Sequence, residues 1–487
     1  METKKKLSGK EKFSYGLGAI AKDMVYMLSA SYILYYYQDI MGVSAAAMGI
    51  ILLAARVFDA FNDPIMGVIV SKTKTKWGKF RPWLMIGTIT NAVILFLMFA
   101  APPSLTKGGM VAYAAVTYIL WGVTYTMMDI PYWSMVPAFT ESGKERESLS
   151  ALARSFAGVG SAIISIVTVI LVSFLGTKFG GQFTEAYNQA VASFGETSQQ
   201  AILAKAEIER IGYKWISLIV AIIFIALISV MCIAIKEKST VDMKSASVKE
   251  MFKALIQNDQ AMTMVISIVC INIALYITSN LVIYFFKYDF SPANWEANYT
   301  MFNTFGGGFQ ILAMMLLFPL LRKFMNSIKI FYTCIFMAFT GYIILLIVSC
   351  SGVSNFYALV PSAFLIMSAM GMLNVILTVF LANTVDYGEL KNFRRDESVI
   401  FSMQTFVVKL ASGVSAFIAG LILQICNINK DAIAGATLPD ASRLSLRLCM
   451  AIIPMIILVA SLFVFKKKYI LTDEKLQEIN KELESRR

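Results

Sequence analysis

Long apolar runs separated by short polar connections rich in Lys and Arg set the pattern of this chain. Runs of roughly 20 or more apolar residues cross a bilayer core of about 30 Å as a helix. Six lie near 15–38, 45–70, 83–101, 110–138, 154–175 and 214–235, and six near 262–286, 299–321, 328–350, 356–384, 399–424 and 444–466. Twelve spans bring both ends of the chain to one side. The basic clusters at 4–12, 72–81, 144–154, 236–253, 322–329, 391–395 and 466–468 all fall on that side of the count. The connections near 102–109, 287–298 and 351–355 carry few basic residues. By the positive-inside rule the basic side is cytoplasmic, so the pattern predicts a multi-pass protein of the cell membrane with both termini in the cytoplasm.

The longest basic connection, 236–260, divides the spans six and six, and each half carries a basic loop after its second and fourth spans. The expected organisation is therefore an N-terminal half (1–235), a middle loop (236–260), a C-terminal half (261–466) and a cytoplasmic tail (467–487). Two six-helix halves with loosely matching loops predict an all-α membrane protein of the major facilitator fold, pseudo-symmetric, with substrate between the halves near the midplane. The segment 176–213 is long for a connection, with glycines at 180, 181 and 212 and a helix-like stretch from Gln199 to Ile211. It reads either as a cover for the outer mouth or as a tolerated surface insertion. The tail from Asp473 to Arg487 reads as a charged, solvated helix. The first apolar run lacks a small-residue cleavage site and is too long for a signal peptide, so it is expected to be a retained span.

Composition narrows the function. The 487 residues are 57% hydrophobic and 15% charged, a balance foreign to soluble domains of this size. The formal charge of +12 sits in clusters between apolar runs, which argues for membrane orientation and against nucleic-acid binding. All six cysteines lie in or at the ends of apolar segments without metal-ligand spacing. There is no His, so an ion moving through the protein must be handled by carboxylates and neutral oxygens. No phosphate loop, nucleophile elbow or metal-ligand cluster points to an enzyme or a resident cofactor.

Against that apolar background the acidic residues stand out. A carboxylate in the middle of a span costs roughly 2.5–3.5 kcal/mol on insertion scales, so it marks an ion or substrate path. Asp59, Asn62 and Asp63 occupy i, i+3 and i+4, which places two carboxylates and an amide oxygen on one helical face, with Arg56 on a neighbouring ridge. This set reads as a cage for a monovalent cation, or as a structural set salt-bridged to Arg56, Lys409 or Arg154. The fourth span offers Tyr125, Thr126, Asp129 and Trp133 at helical spacing. A carboxylate accepts two hydroxyls and an indole packs on a sugar ring, so these residues read as sugar-binding, with core or interfacial aromatics as the alternative. Asp23 is a second hydroxyl acceptor or a helix-end charge that reaches the interface. Lys409, about ten residues from either end of its span, needs a partner and is expected to neutralise Asp59 or Asp129.

Long motifs in the chain carry a resemblance: Phe13 to Asp23, Tyr35-Tyr36-Tyr37, Asp59 to Trp83, Tyr118 to Pro137, Val385 to Glu389, and Gln404 to Lys409. In them the chain resembles the glycoside, pentoside and hexuronide cation symporters of the major facilitator superfamily. The resemblance implies a secondary transporter that takes up a sugar or glycoside together with Na⁺, with Li⁺ or H⁺ as alternative ions, acting as a monomer in the lipid bilayer. It implies a Na⁺ site at Asp59, Asn62, Asp63 and Thr126, with Lys409 linking the halves; Lys409 and Arg56 are the expected coupling residues. It places sugar contacts at Asp23, Asp129, Arg154 and Trp133, with Tyr125 and Thr405 beside them. Asn374 stands where a sugar-facing tryptophan of the tenth span is expected, Asn383 replaces an acidic residue, and Ser71 replaces an Asp that opens the basic loop. A lysolipid transporter is the competing reading from a different class, favoured only by Arg154 and Lys409 as head-group cations.

Overall fold

The computed structural model describes residues 7–139, 143–196, 198–235, 256–353, 355–392, 397–428 and 438–486, with Lys249 and Lys253. Most of the middle loop 236–260, Arg394 and Arg395, and the side chains of Ser71, Lys144, Arg146 and Thr405 lie outside the described residues. No strand occurs among those described. Twelve helices there are long and apolar enough to cross a membrane. In chain order they are Gly9–Tyr35, Ala45–Lys72, Arg81–Phe99, Lys107–Phe139, Gly143–Phe179 and Gln199–Ala234, then Asp259–Phe285, Trp295–Leu312, Ser327–Cys350, Val360–Asn392, Glu397–Ile425 and Asp440–Lys468. The apolar runs located these helices, and the helices extend beyond them into polar sequence because caps and hydrogen-bonded turns carry them onward. Ser8, for example, accepts from the Glu11 amide while the Glu11 carboxylate accepts from the Ser8 amide, a reciprocal cap that starts the first helix six residues before its apolar run.

Two compact units form, Met1–Ser245 with Asn427–Thr437, and Ala246–Cys426 with Leu438–Arg487. In the first, the first helix packs on the fifth and sixth, the third on the fourth and sixth, and the second on the fourth. In the other, the seventh packs on the eleventh and twelfth, the ninth on the tenth and twelfth, and the eighth on the tenth. Adding six to every ordinal converts one pattern into the other, which is the major facilitator fold with its pseudo-symmetric halves. The first and seventh helices repeat in detail, since each runs 27 residues and then widens into a five-residue π turn, Tyr36–Ile40 and Phe286–Phe290.

The 176–213 segment is helical almost throughout. Gly181–Phe194 forms a separate helix packed on the start of the sixth, and Gln199–Ile211 continues into the sixth without a break. At 36 residues and 1.5 Å each, the sixth helix is about 54 Å long and outruns the hydrocarbon core. The tail departs from expectation. Asp473–Arg486 is a helix, but Ile479 and Leu483 are buried and it packs on the tenth helix. Leu476, Ile479 and Leu483 form an apolar stripe at spacings of three and four, which the charges around them obscured.

Small residues set a close crossing of the fifth and sixth helices. A Cβ added at Gly212 would strike the Val172 carbonyl, and one at Gly176 the Ile208 carbonyl, so the fifth and sixth helices meet backbone to backbone. Gly212→Val is expected to force them apart, costing about 1–3 kcal/mol and several degrees of Tm in detergent. Gly158→Ala, with open space around the added methyl, leaves Tm unchanged or raises it.

Candidate functional site

The sequence-predicted acidic residues of the N-terminal unit fall into two clusters on the first, second and fourth helices, with Asp59 buried and Asp23, Asp63 and Asp129 half-buried. Paired tyrosines fix the first helix against the fourth: Tyr15 donates to the Tyr132 carbonyl at 2.6 Å, Tyr132 donates to the Tyr15 carbonyl at 2.9 Å, and their rings stack at 4.4 Å. One turn or two along from this clamp, Lys22 Nζ lies 2.8 Å from Asp129 Oδ1 and donates to Asp23 Oδ1 and Tyr125 Oη, each at 3.2 Å. Ser161 of the fifth helix donates to the other oxygen of Asp23 at 3.1 Å. The Lys22 ammonium also stands 5.4 Å from the Trp133 ring centroid, 5.6 Å from that of Tyr125 and 5.7 Å from that of Tyr132. Arg154 is exposed and its guanidinium lies 5.4 Å over the Trp133 ring. Asp23, Tyr125, Asp129, Trp133 and Arg154 are thus brought together, with Lys22 as their centre.

Sequence reasoning passed over Lys22 and read Asp23 as a possible helix-end charge, because the apolar run begins at Tyr15. The helix begins at Gly9, so Asp23 lies 14 residues, or about 21 Å, inside it. A lysine at that depth requires carboxylates, and the adjacent Lys22-Asp23 pair was the available signal.

The second cluster joins the second and fourth helices. Arg56 Nη1 donates to Asp59 Oδ2 at 3.1 Å and Nη2 donates to Tyr118 Oη at 3.2 Å. Asp59 is 4% exposed and Arg56 5%, so this ion pair is desolvated. The other Asp59 oxygen faces Gly122, where an added Cβ would sit 2.6 Å from it; only glycine lets the carboxylate lie so close to the fourth helix. Thr126 donates to Asp63 Oδ1 at 2.9 Å. Asn62 Nδ2 is buried without a hydrogen-bond partner. Among the described residues no group of three His, Cys, Asp or Glu converges as a metal site.

The structure therefore gives Asp59 the salt bridge to Arg56 that was one of the two sequence readings, while Asp63 and Thr126 meet as the other requires. The counter-charges found inside this unit are Arg56 for Asp59, a partner the sequence reading offered, and Lys22 for Asp129, one it did not. Lys409 lies half-buried near the middle of the eleventh helix in the C-terminal unit. Asn374 is exposed in the tenth helix, where its carbonyl accepts from Thr378, and Gln404 of the eleventh donates to the Thr378 hydroxyl at 3.4 Å. The Thr405 side chain lies outside the described residues.

The profile of the family described as MFS/sugar transport protein matches residues 14–472. The chain belongs to this family. As an MFS sugar-transport protein it has relatives whose names agree with the resemblance to glycoside, pentoside and hexuronide cation symporters. The isoprimeverose transporter of Lactiplantibacillus pentosus is 28% identical over 417 residues, covering 85% of this chain and 79% of the relative. The raffinose carrier protein of Pediococcus pentosaceus is 25% identical over 488 residues, covering 96% and 70%. A protein of Escherichia coli (strain K12) provisionally named glycoside/cation symporter YagG is 25% identical over 478 residues, covering 98% and 95%. Among solved structures, a bacterial homologue of the human lysosomal transporter Spinster shares the fold with a TM-score of 0.66 at 13% identity, covering 96% of this chain and 97% of that one. The nucleoside transporter NupG does so with a TM-score of 0.60 at 12% identity, covering 94% and 99%.

Removing one partner from a buried charge cluster leaves the other uncompensated, at a cost of about 3–5 kcal/mol. Lys22→Met is therefore expected to lower Tm sharply, and the Lys22→Met/Asp129→Asn double variant to recover much of the loss. Equal melting temperatures for the single and double variants would show that Lys22 does not neutralise Asp129.

Proposed function

We propose that this protein is a Na⁺-coupled symporter of a sugar or glycoside, working as a monomer by alternating access in the cell membrane with both termini cytoplasmic. The observation that supports the ion assignment is the hydrogen bond from Thr126 to Asp63, one helical turn from Asp59. Asp59 and Asp63 stand one turn apart on the second helix, and the fourth helix brings the Thr126 hydroxyl to Asp63 and Gly122 to Asp59. The donors are hard oxygens, the kind a small hard cation takes. Asn62 adds an amide oxygen in this reading, and its buried, unpartnered Nδ2 leaves the amide orientation to be set by what binds beside it.

The sugar half of the reading rests on Asp23 and Asp129 as hydroxyl acceptors, Lys22 and Arg154 as donors, and the Trp133 indole as an apolar platform. The named relatives handle isoprimeverose, raffinose and glycosides, which supports a glycoside here. We assign cation binding and most sugar contacts to the N-terminal half (1–235), a connecting role to 236–260, and a cytoplasmic position to 467–487. In the C-terminal half (261–466) we assign Asn374 and Thr405 to the sugar and Lys409 to coupling, on the strength of the family motifs. A cation falling through about 100 mV supplies about 2.3 kcal/mol, enough for roughly 50-fold accumulation.

Uptake of labelled isoprimeverose, raffinose and lactose into proteoliposomes, with inward Na⁺ or choline, tests the proposal. The expected result is uptake of at least one glycoside that rises several-fold with Na⁺; uptake indifferent to Na⁺ and Li⁺ sinks the ion assignment. External alkalinisation on adding sugar without Na⁺ would replace Na⁺ by H⁺ at the same carboxylates. Asp63→Cys is expected to remove Na⁺ stimulation while sugar still binds, and Asp129→Cys to remove sugar binding itself. Equal loss of both ligands in both variants would refute the division of labour.

A further inference from the structure

Tyr118, Trp121 and Tyr125 follow one ridge of the fourth helix at spacings of three and four, and their rings form a continuous stack. Tyr118 and Trp121 are 5.6 Å apart at 20°, and Trp121 and Tyr125 are 5.2 Å apart at 24°. All three are at most 6% exposed. Tyr26 of the first helix closes the side of the stack, 6.3 Å from Trp121 and 5.7 Å from Tyr125. Each end of the stack is held by a cation that is itself paired with a carboxylate. At one end Arg56 donates to Tyr118 Oη at 3.2 Å while pairing with Asp59, and its guanidinium lies 5.6 Å over Tyr26. At the other, Lys22 donates to Tyr125 Oη at 3.2 Å while lying 2.8 Å from Asp129.

We infer that Tyr118 and Trp121 are positioning residues that transmit the state of the Asp59–Asp63 cluster to the Lys22–Asp129 cluster. This inference rests on the function proposed above. A cation arriving at Asp59 and Asp63 competes with Arg56 for the Asp59 carboxylate. Arg56 cannot shift without moving Tyr118, to which it is hydrogen-bonded, and Tyr26, on which it lies. Rings packed at interior density change place in discrete steps, so the displacement passes through Trp121 to Tyr125 and alters how Lys22 is shared between Tyr125 and the two sugar-side carboxylates. The stack adds no ligand to either site; it sets how strongly one reports to the other. By reciprocity the sugar must alter cation affinity by the same factor.

The test uses the full-length protein purified in detergent, with the glycoside giving the largest Na⁺-dependent uptake in the proteoliposome panel as probe. Its Kd is measured in Na⁺ and in choline, and the Na⁺ Kd with and without the glycoside. Tyr118→Phe keeps the ring and removes only the hydroxyl that Arg56 holds. It is expected to cut the Na⁺-induced gain in glycoside affinity, and the glycoside-induced gain in Na⁺ affinity, by the same factor of about five or more. The glycoside Kd in choline should stay within about twofold of the unaltered protein. Trp121→Leu, which removes the middle ring, should do the same. Tyr113→Phe, which loses only a hydroxyl bonded to the Leu97 carbonyl outside the stack, should leave the coupling intact. Unchanged coupling in Tyr118→Phe would overturn the relay while the symport reading stands. Absence of any Na⁺–glycoside coupling in the unaltered protein would overturn the symport reading and the relay with it. Should Trp121→Leu fail to fold, Tyr118→Phe still decides.

Discussion

In a medium that cannot solvate ions, a charged side chain persists only where an opposite charge and hydrogen-bonding partners already surround it. In the N-terminal unit this constraint acts at Lys22 with Asp23 and Asp129, and at Arg56 with Asp59. Much of the surrounding structure serves to make those pairs possible. The reciprocal Tyr15 and Tyr132 bonds fix the first helix on the fourth near Lys22, and Gly122 removes the side chain that would keep the fourth helix away from Asp59. Neither charge pair holds a helix bundle together by strength alone, since desolvation consumes most of the attraction. What links helix to helix here is the Lys22–Asp129 pair and the hydrogen bond from Arg56 to Tyr118.

Packing in both units follows the same rule by different chemistry. Lipid supplies no hydrophobic drive between helices, so close backbone approach at small residues carries the association. Gly122 lies against Asp59 of the second helix, and in the second unit Gly371 of the tenth lies against the Gln310 carbonyl of the eighth. The ordinals again differ by six. In the first unit the space left by glycine admits a carboxylate; in the second it admits a backbone carbonyl and the uncharged side chains of Gln310 and Met314. Equivalent crossings have thus been given different chemical content, with the ionisable one on the side where Asp63 and Thr126 also meet.

The sequence displays its architecture openly because hydrophobicity and basic loops are summed over whole segments, and local errors cancel. The individual site residues were legible to the extent that they break the apolar background: Asp59, Asp63 and Asp129 could be picked out as costly, and helical spacing put Thr126 and Trp133 beside them. What could not be read was pairing across helices. Lys22 was hidden by its nearness to the start of the apolar run, and only the capped extension from Gly9 shows it to be deep. Gly122 gives no signal until its neighbour is known. The tail's buried face was masked by its charge, because three apolar positions among fourteen residues weigh little in composition and decide the contact in space.

Thr126 and Asp129 are three residues apart on a single helix, a rise of about 4.5 Å. An unbroken stretch of α-helix does not let two such positions move independently, since rotation or tilt of one carries the other. In a symporter arranged this way, the fourth helix cannot cross the membrane with its cation pocket in one configuration and its sugar pocket in another. Both pockets would then open to the same side of the membrane at the same time, whichever of them is filled. Joint exposure is in this sense a property of backbone stiffness, present before any ligand binds.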